Sequence, residues 1–596
     1  MSCGRVLETA NRGRDLRLRL TSALAAAGVT GVVAVLSAGA SAVYGSVAVF
    51  PAAGTPVASP NTQISFRGAS PAELSGVKVR GSKSGSHSGK LRAHSDGLGA
   101  SFLPDHPFHA GERVTVKAGV SLIGAKNGVV TFTIARPPGH YTIGFPGDST
   151  RDAPGIQHFH SRPDIAPPSI LIKKRDAAAV GQGDLFVAAK AGPGQDGPMI
   201  TDDSGHLIWF KKIGGKDSVF DFRRQTYRGH PVLTWWQGVA KSGQGLGAGH
   251  IVDTSYRSIA TVQAGNGYKA DLHEFEISRN DTALLLAYQP VTYDGETEMD
   301  TLMQEIDIPT GLVMFEWHSL GNIARSESYV RYSNGRPNDV AHLNSIQLTR
   351  DGNFLVSGRN NDAVYKINRA TGKIIWRLGG KRSNFNLTKA SHFVGQHHAR
   401  LQPDGSITLF DNGQPPQPRR PARALWLNVD SRHRKVSVRH AYRYPKTLYS
   451  GSQGSMQVLG NARDVFVGWG GNHPQLTEFD YKGNVIFNAR FKPGDDTYRA
   501  FRYPWDAQPD RAPDIAASRS GGNTNVWASW NGATGVAQWQ VLAGSNPNAL
   551  VPAATVSRTG FETHATVNGS PQYVAVRALG PHGEVLGTSP AIQPSG

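Results

Sequence analysis

A short pattern of a turn, a strand and an aromatic residue recurs along the middle of the chain. Clear copies are Ser204–Trp209, Thr310–Phe315, Thr371–Trp376 and Lys482–Phe487, and weaker ones lie near Tyr256 and His433. Successive copies are spaced by 50 to 61 residues. A unit of this length holds about four short strands, and six such units predict a six-bladed β-propeller. A solenoid is the second interpretation, but the helical periodicity of helical solenoids is missing.

Three histidines occupy equivalent positions in three of these units. His273, His342 and His397 each open a short apolar strand that leads into a turn. The turn is Asp-Gly in two units and Arg279-Asn280-Asp281 in the third. An Asp-Gly pair between short β-rich runs is a strong hairpin signal. Because the first strand of each blade lines the channel of a propeller, we expect the three rings to converge at the channel mouth.

Other polar residues follow the same strands. Asn344 stands two residues after His342, which predicts the same strand face. Arg359 ends the next strand of that unit. The sequence does not determine whether the side chains of Glu274 and Asp411 are on the same strand face as the histidines.

Three kinds of chemistry suit this set of side chains. Three histidines could bind zinc or copper, although no carboxylate is clearly placed with them and they come from different units. One histidine could instead act as a nucleophile that accepts a group, while Arg and Asn hold its anionic oxygens. A cationic setting would keep the attacking imidazole neutral near pH 7. The third interpretation is structural, with buried histidines bonded to neighbouring blades.

Composition narrows the class of protein. The chain has 596 residues, with 69 Gly, 36 Pro and a formal net charge of +18. Such a positive charge favours anionic ligands or surfaces. The basic residues are dispersed and no aromatic-basic RNA motif is present, so no nucleic-acid partner is expected. The only cysteine, Cys3, lies in a predicted export signal, so the mature protein is expected to lack disulfides.

Five segments are predicted along the chain. They are a signal peptide (1–42), an Ig-like β-sandwich (43–136), a Pro-rich linker (137–169), the propeller (170–512) and a fibronectin type III-like sandwich (513–596). Four arginines, an apolar run and a small-residue site ending at Ala42 suggest the signal. An uncleaved membrane anchor is the alternative. Alternating strands with early Trp and late Tyr residues suggest the last domain.

The residues from Phe159 to about Asp510 resemble the arylsulfotransferase family. The motifs that carry the resemblance are Asp339–Ile346, Ser357–Arg359, Gln396–Ala399, Phe410–Gly413, Ser455–Val458 and Val467–Gly470. The resemblance implies a six-bladed propeller that transfers a sulfuryl group from a phenolic sulfate ester to a phenol. It implies no nucleotide sulfate donor, and the chain has no G-x-x-x-x-G-K-[ST] phosphate loop.

The resemblance also implies roles for particular residues. His397 matches the histidine that takes the sulfuryl group, and His342, Asn344 and Arg359 match sulfuryl-binding residues. His273 matches the remaining active-site histidine. No cofactor or metal is implied, and the partners are a phenolic sulfate, a phenol and possible cell-wall or surface contacts.

The chain departs from the family pattern in three ways. It cannot form the disulfide of well-studied enterobacterial members, His398 doubles the key histidine, and the flanking sandwiches differ from the simplest family architecture. A non-catalytic exported propeller that binds an anionic glycan or an aromatic ligand is the competing hypothesis. The oligomeric state stays open.

Overall fold

The computed structural model describes residues 46–138, 152–241, 243–330, 336–413, 420–460, 464–471 and 475–596. Within these ranges the chain is built from β-strands with two short 3-10 turns, η1 (Arg325–Glu327) and η2 (Arg359–Asn361), and no α-helix. The predicted all-β class is thus confirmed. None of the described residues forms a helix with the length and apolar character to span a membrane. The predicted signal peptide, 1–42, lies outside the described residues.

Eight strands at the start form two four-stranded sheets. They are β1 (Ala48–Phe50), β2 (Ile64–Arg67), β3 (Lys78–Gly81), β4 (Gly85–His87), β5 (Gly89–Ala93), β6 (Gly99–Pro104), β7 (Arg113–Lys117) and β8 (Val130–Thr133). The sheet orders are β1-β2-β6-β5 and β4-β3-β7-β8. Period-2 alternation buries one face of each sheet, and Phe66, Val79, Val114 and Phe132 meet in the core between them.

Twenty-six strands follow, up to Tyr503. They are β9 (Ile170–Arg175), β10 (Asp184–Ala189), β11 (Gly197–Thr201), β12 (Leu207–Phe210), β13 (Ser218–Tyr227), β14 (His230–Lys241), β15 (Gln244–Val252), β16 (Ser258–Val262), β17 (Phe275–Ile277), β18 (Ala283–Tyr293), β19 (Glu296–Ile306), β20 (Val313–His318), β21 (Asn338–Asp339), β22 (Leu343–Leu348), β23 (Phe354–Gly358), β24 (Ala363–Ile367), β25 (Ile374–Gly379), β26 (His397–Leu401), β27 (Ile407–Asp411), β28 (Arg423–Asp430), β29 (Lys435–Tyr442), β30 (Ser455–Leu459), β31 (Asp464–Gly468), β32 (Gln475–Phe479), β33 (Val485–Phe491) and β34 (Ala500–Tyr503).

These strands make six sheets, which we name A to F. Sheet A has the order β12-β11-β10-β34, and sheets B to E are β13–β16, β17–β20, β22–β25 and β26–β29. Sheet F is β30–β33 with β9 at its edge, and the short β21 pairs in parallel with β19 of sheet C. Within B to F the chain runs through four consecutive antiparallel strands, which short turns connect.

Each of these sheets buries apolar side chains against the next one. Trp209 of sheet A shares a core with Trp235 of sheet B, and equivalent cores join B to C, C to D, D to E and E to F. A sixth core contains Leu185 of sheet A and Phe466 of sheet F. Every one of the six sheets therefore has two neighbours.

Strands from the two ends of this region complete sheets A and F. β34 pairs antiparallel with β10, although Leu185 and its partner Arg502 are 317 positions apart in the chain. β9 pairs antiparallel with β33, for example through Ile170 and Phe491. Each end of the region is thus held by main-chain hydrogen bonds to a strand from its other end.

Glutamine side chains also connect first strands of successive sheets. Gln347 of sheet D accepts the N–H of Leu401 at 2.7 Å and donates to its carbonyl at 3.3 Å. Gln457 of sheet F bonds both backbone groups of Arg502 in sheet A, at 2.8 and 2.9 Å. These amide pairs fix neighbouring first strands in register where the sheets come closest.

Seven strands make up the end of the chain. They are β35 (Asp514–Ser520), β36 (Asn523–Ser529), β37 (Gln538–Gly544), β38 (Val551–Ser557), β39 (Glu562–Asn568), β40 (Tyr573–Leu579) and β41 (Val585–Thr588). They form the sheets β35-β36-β39 and β38-β37-β40-β41 around a core that contains Trp530 and Trp539. Asn531 fixes this part to sheet A by bonding the N–H and the carbonyl of Phe210.

Candidate functional site

Two of the three predicted histidines are held by aspartates that stand just before them in the sequence. His273 Nδ1 donates to Asp271 Oδ1 at 2.5 Å, and His342 Nδ1 donates to Asp339 Oδ2 at 2.6 Å. The backbone N–H of each histidine bonds the same carboxylate, at 3.0 and 2.9 Å. The ring centroids are 4.9 Å apart. Because Nδ1 is bonded to the carboxylate, Nε2 is the ring nitrogen that is left to exchange a proton, and in both rings it has no hydrogen-bond partner among the described residues.

The third histidine has neutral partners instead. His397 Nδ1 donates to Asn412 Oδ1 at 2.8 Å and lies 3.1 Å from the carbonyl of Gly395. The Asn412 amide nitrogen donates to the Gln453 carbonyl at 3.0 Å, which orients its oxygen towards the ring. His397 Nε2 accepts the backbone N–H of Gln453 at 3.2 Å. The ring is therefore the Nδ1–H tautomer with its lone pair on Nε2.

Arg359 connects these histidines. Its backbone N–H donates to the carbonyl of His342 at 3.0 Å. Its guanidinium donates to Asn360 Oδ1 at 2.9 Å and approaches the carbonyl of Gly451 at 3.4 Å. Gly451 belongs to the loop whose Gln453 N–H bonds His397. Arg359 thus lies in the same site as His342 and His397, with donors left over for an anionic group.

Asn344 lies next to the backbone that carries His397. Its side chain is fully buried and donates from Nδ2 to the carbonyl of Gln396 at 2.8 Å. Its Oδ1 has no partner among the described residues. His342 precedes strand β22 and has a φ of 48°, and the ladder shifts register between Leu343 and Ser345. The sequence predicted that strand alternation places Asn344 on the same face as His342. Because His342 lies outside the strand, alternation does not relate the two residues.

Burial and nearby cations set the protonation state of the site. Burial lowers the pKa of His397 well below its ordinary value, and Arg359 lowers it further, with smaller contributions from His273 and His342. Burial also lowers the pKa of His342, although Asp339 acts in the opposite direction. At pH 7 His397 is therefore neutral, and its Nε2 electron pair accepts only the Gln453 N–H.

The adjacent His398 lies in different surroundings. Its φ is 53°, and the ladder shifts register between His397 and Arg400. Its Nδ1 accepts the N–H of Met456 at 3.4 Å. It lines a separate cavity of about 560 Å³ together with Phe501. The structure thus brings His397, and not His398, to His273 and His342.

A buried cluster of ion pairs lies behind the histidines. Glu274, which follows His273, is fully buried and bonds Arg223, Arg400 and Arg499. Arg499 also donates to Asp221 at 2.7 Å. Burial alone would raise the pKa of Glu274, but the three guanidinium groups hold it well below its ordinary range. The cluster joins strands of different sheets beneath the site.

Aromatic rings form one wall beside His273. Tyr288 stacks on the His273 ring at 5.5 Å and donates its hydroxyl to the carbonyl of Leu343 at 2.6 Å. Tyr498 lies edge-on to His273 at 5.8 Å and packs against Phe220. Such flat apolar surfaces suit an aromatic substrate.

Several important residues were not predicted as site residues. Asp271 and Asp339 stand two and three residues before their histidines, and this short spacing is a usable signal. Asn412 and Gln453 are far from His397 in sequence, and no local pattern marks them. Asp411 is buried but belongs to a loop network, since it bonds Arg423 at 2.8 Å. No cluster of three or more metal-ligating side chains suited to a metal ion occurs in the described ranges.

A family model agrees with the predicted resemblance. The model for "Arylsulfotransferase (ASST)" matches residues 223–492, a little under half of the chain. This segment contains all five predicted site residues. The match supports an arylsulfotransferase activity and phenolic substrates in general terms. No curated protein matches the chain.

The solved structures that match the chain are distant from it. A protein of unknown function from Bacteroides caccae is 13% identical, with a TM-score of 0.35 over 54% of this chain and 100% of its own. A catalytically inactive virginiamycin B lyase from Staphylococcus aureus, solved with quinupristin, is 13% identical, with a TM-score of 0.25 over 56% and 84%. A streptogramin B lyase is 10% identical, with a TM-score of 0.27 over 60% and 94%.

Proposed function

We propose that this chain, whose residues 223–492 match the arylsulfotransferase family, moves a sulfuryl group from a phenolic sulfate ester to a phenol through a sulfo-histidine. No nucleotide sulfate donor takes part. One observation carries the assignment of roles: His397 has an amide partner on Nδ1, whereas His273 and His342 have carboxylates. A carboxylate favours the imidazolium form, and an amide does so much less. The chain thus separates one nucleophile from two proton carriers.

In the first half-reaction, the Nε2 electron pair of His397 attacks the sulfur of the donor. The nitrogen–sulfur bond forms as the bond from sulfur to the phenolic oxygen breaks, and the electron pair of that bond leaves with the phenolate. Arg359 donates to the sulfuryl oxygens, and one N–H of Asn344 remains for them as well. In the protein without substrate, the Gln453 N–H bonds His397 Nε2. Once sulfur is attached to Nε2, the same N–H can bond a sulfuryl oxygen.

In the second half-reaction, the acceptor phenol attacks sulfur and regenerates neutral His397. Nε2 of His273 or His342 takes the proton of the phenol, and the adjacent aspartate stabilises the resulting imidazolium. The same proton then protonates the next departing phenolate, so charge balances over one cycle. The Asn412 oxygen keeps the Nδ1–H of sulfo-His397 oriented without neutralising the positive ring, which keeps the intermediate reactive.

We also propose the architecture that presents this site. Sheets A to F are the six blades of a β-propeller, because each buries a core against two neighbours and because A and F share one. The sheets before them form an Ig-like sandwich and those after them a fibronectin type III-like sandwich. The boundaries are those predicted above, with the propeller at 170–512.

The test is turnover with defined substrates. Purified protein is mixed with 4-nitrophenyl sulfate and a panel of phenols, with a chelator present and no nucleotide added. We expect release of 4-nitrophenolate that depends on the acceptor, together with the sulfated acceptor as product. Absence of turnover across donors and acceptors, with tight binding of an aromatic or glycan ligand, would favour the non-catalytic alternative.

Arg359→Lys is expected to fold and to lose turnover on the order of a hundredfold, the usual cost of an oxyanion donor. Lysine keeps the charge but loses the planar fork of donors. The comparison variant is Arg350→Lys, whose side chain is exposed on a turn. We expect it to match the unaltered protein in steady-state kinetics. Equal rates for all three proteins would place Arg359 outside the reaction.

The donor half-reaction should be insensitive to mild acid. An ordinary histidine with a pKa near 6.5 would lose about 90% of its neutral form at pH 5.5. Because the pKa of His397 is well below this value, its neutral form should persist, and the burst rate should stay constant from pH 7.5 to 5.5. Stopped-flow measurement of phenolate release, with melting temperature followed in parallel, checks this. A rate that halves near pH 6.5 would contradict it.

We further propose that the protein is exported. The small-residue site ends at Ala42, so the mature chain should begin at Val43. N-terminal sequencing of protein recovered from outside the cytoplasm measures this directly. Recovery of an intact residue 1–42 segment in the membrane fraction would indicate an uncleaved anchor instead.

A further inference from the structure

One face of the sheet β4-β3-β7-β8 carries four cationic side chains. Lys78 and Arg80 of β3 and Arg113 and Lys117 of β7 are exposed, while the adjacent Val79, Val114 and Val116 are buried. Alternation therefore places all four on the outer face. The four strands contain no aspartate or glutamate. Within these four strands every acidic or basic side chain other than His87 is therefore cationic.

The strand register places two like charges directly opposite each other. Lys78 stands directly opposite Lys117, and Arg80 stands opposite Thr115. Directly opposed side chains in an antiparallel pair are about 5 Å apart at Cβ, and like charges there are destabilising. None of the four cations makes a salt bridge among the described residues. The arrangement is thus unfavourable for folding, and it is explained if an anionic partner neutralises it.

The first described part of the chain is more basic than the last part. Residues 46–138 contain 10 Lys and Arg but only 4 Asp and Glu, whereas residues 513–596 contain 3 of each kind. A uniformly basic surface would have given both flanking parts a similar excess. Of the two flanking parts, only the first therefore has a basic excess.

We propose that this face, named here the basic face (Lys78, Arg80, Arg113 and Lys117), binds an anionic polysaccharide that carries sulfate or carboxylate groups. Two residues along a strand span about 7 Å and four span about 14 Å, so the cations form rows that suit a linear polymer with regular charges. The hydroxyl groups of Thr115, Thr131 and Thr133 lie among them and suit sugar hydroxyls.

The side chains on this face argue against the other polyanions. A membrane-binding surface adds apolar residues that enter the bilayer, and the large exposed apolar residues nearby, Leu91 and Leu98, lie outside these four strands. Single-stranded nucleic acid is bound with aromatic rings that stack on bases. None of the exposed positions of β3 and β7 is aromatic.

The test compares two pairs of substitutions in the full chain. The variant Lys78→Gln/Lys117→Gln removes the opposed lysines, and Lys90→Gln/Arg92→Gln removes two exposed cations from β5 of the other sheet. Binding of heparin oligosaccharides, alginate and neutral dextran is measured by calorimetry in low and high salt. We expect salt-sensitive binding of the two anionic probes, a loss of tenfold or more in the first variant and little change in the second.

The result is separable from catalysis and from misfolding. The first variant should melt no lower than the unaltered protein, because it removes a like-charge contact, and it should keep full aryl sulfate turnover if that activity is present. Unchanged binding in the first variant would overturn the proposal. So would an equal loss in both variants, or tighter binding to phosphatidylserine vesicles or single-stranded DNA than to either polysaccharide.

Discussion

His397→Gln is expected to abolish the burst of phenol release and the covalent intermediate. With the unaltered protein, donor alone should release one phenol per site and leave a sulfuryl group on the chain, since the proposed reaction has two half-reactions. Digestion and mass spectrometry should place this acid-labile group on the peptide that contains His397 and His398. Glutamine keeps polarity and approximate size but provides no nucleophilic nitrogen.

The neighbouring His398 supplies the matched control. His398→Gln should keep at least part of the burst, because that ring lies by Met456 and Phe501 and not with the other two histidines. A burst that survives in His397→Gln and vanishes in His398→Gln would show that His398, and not His397, is the nucleophile. Thermal unfolding of both variants shows whether either loss reflects a folding defect.

Glu274→Gln is expected to give the largest loss of stability among single substitutions near the site. The carboxylate lies between three buried guanidinium groups, and neutralising it leaves their charge unbalanced. Removing one partner of a buried ion pair costs about 3–5 kcal/mol. We expect either a markedly lower melting temperature or failure to recover folded protein.

Glu276 provides the comparison for this prediction. It lies 3.2 Å from Arg400, but its side chain is 17% exposed and burial raises its pKa, so its negative charge is held less firmly than that of Glu274. Glu276→Gln should therefore cost much less than Glu274→Gln. Equal melting temperatures for Glu274→Gln and the unaltered protein would show that the cluster contributes little to stability.

The sequence predicted that the three histidines converge, but not how they are held in place. The three histidines and Arg359 follow a repeat, and a repeat predicts which strands line one axis. His342 and His398 instead adopt left-handed backbone conformations beside register shifts. Such local departures depend on tertiary contacts, so strand alternation alone misplaced Asn344 relative to His342.

The supporting residues were beyond prediction for a different reason. Asn412 reaches His397 only because β26 and β27 pair. The arginines around Glu274 come from different sheets, with 276 positions between Arg223 and Arg499. No spacing in the sequence marks such contacts. The aspartates before His273 and His342 are the exception, since each lies within three residues of its ring.

The pairing of β9 with β33 has a consequence for the time course of synthesis. Ile170 leaves the ribosome more than 300 residues before its partner Phe491. At about 5–20 residues per second, β9 waits for roughly 15 to 65 seconds without the strand that covers it. An unpaired apolar strand edge invites association with other chains. A nascent chain of this protein therefore depends on being kept apart from its neighbours until β33 has emerged.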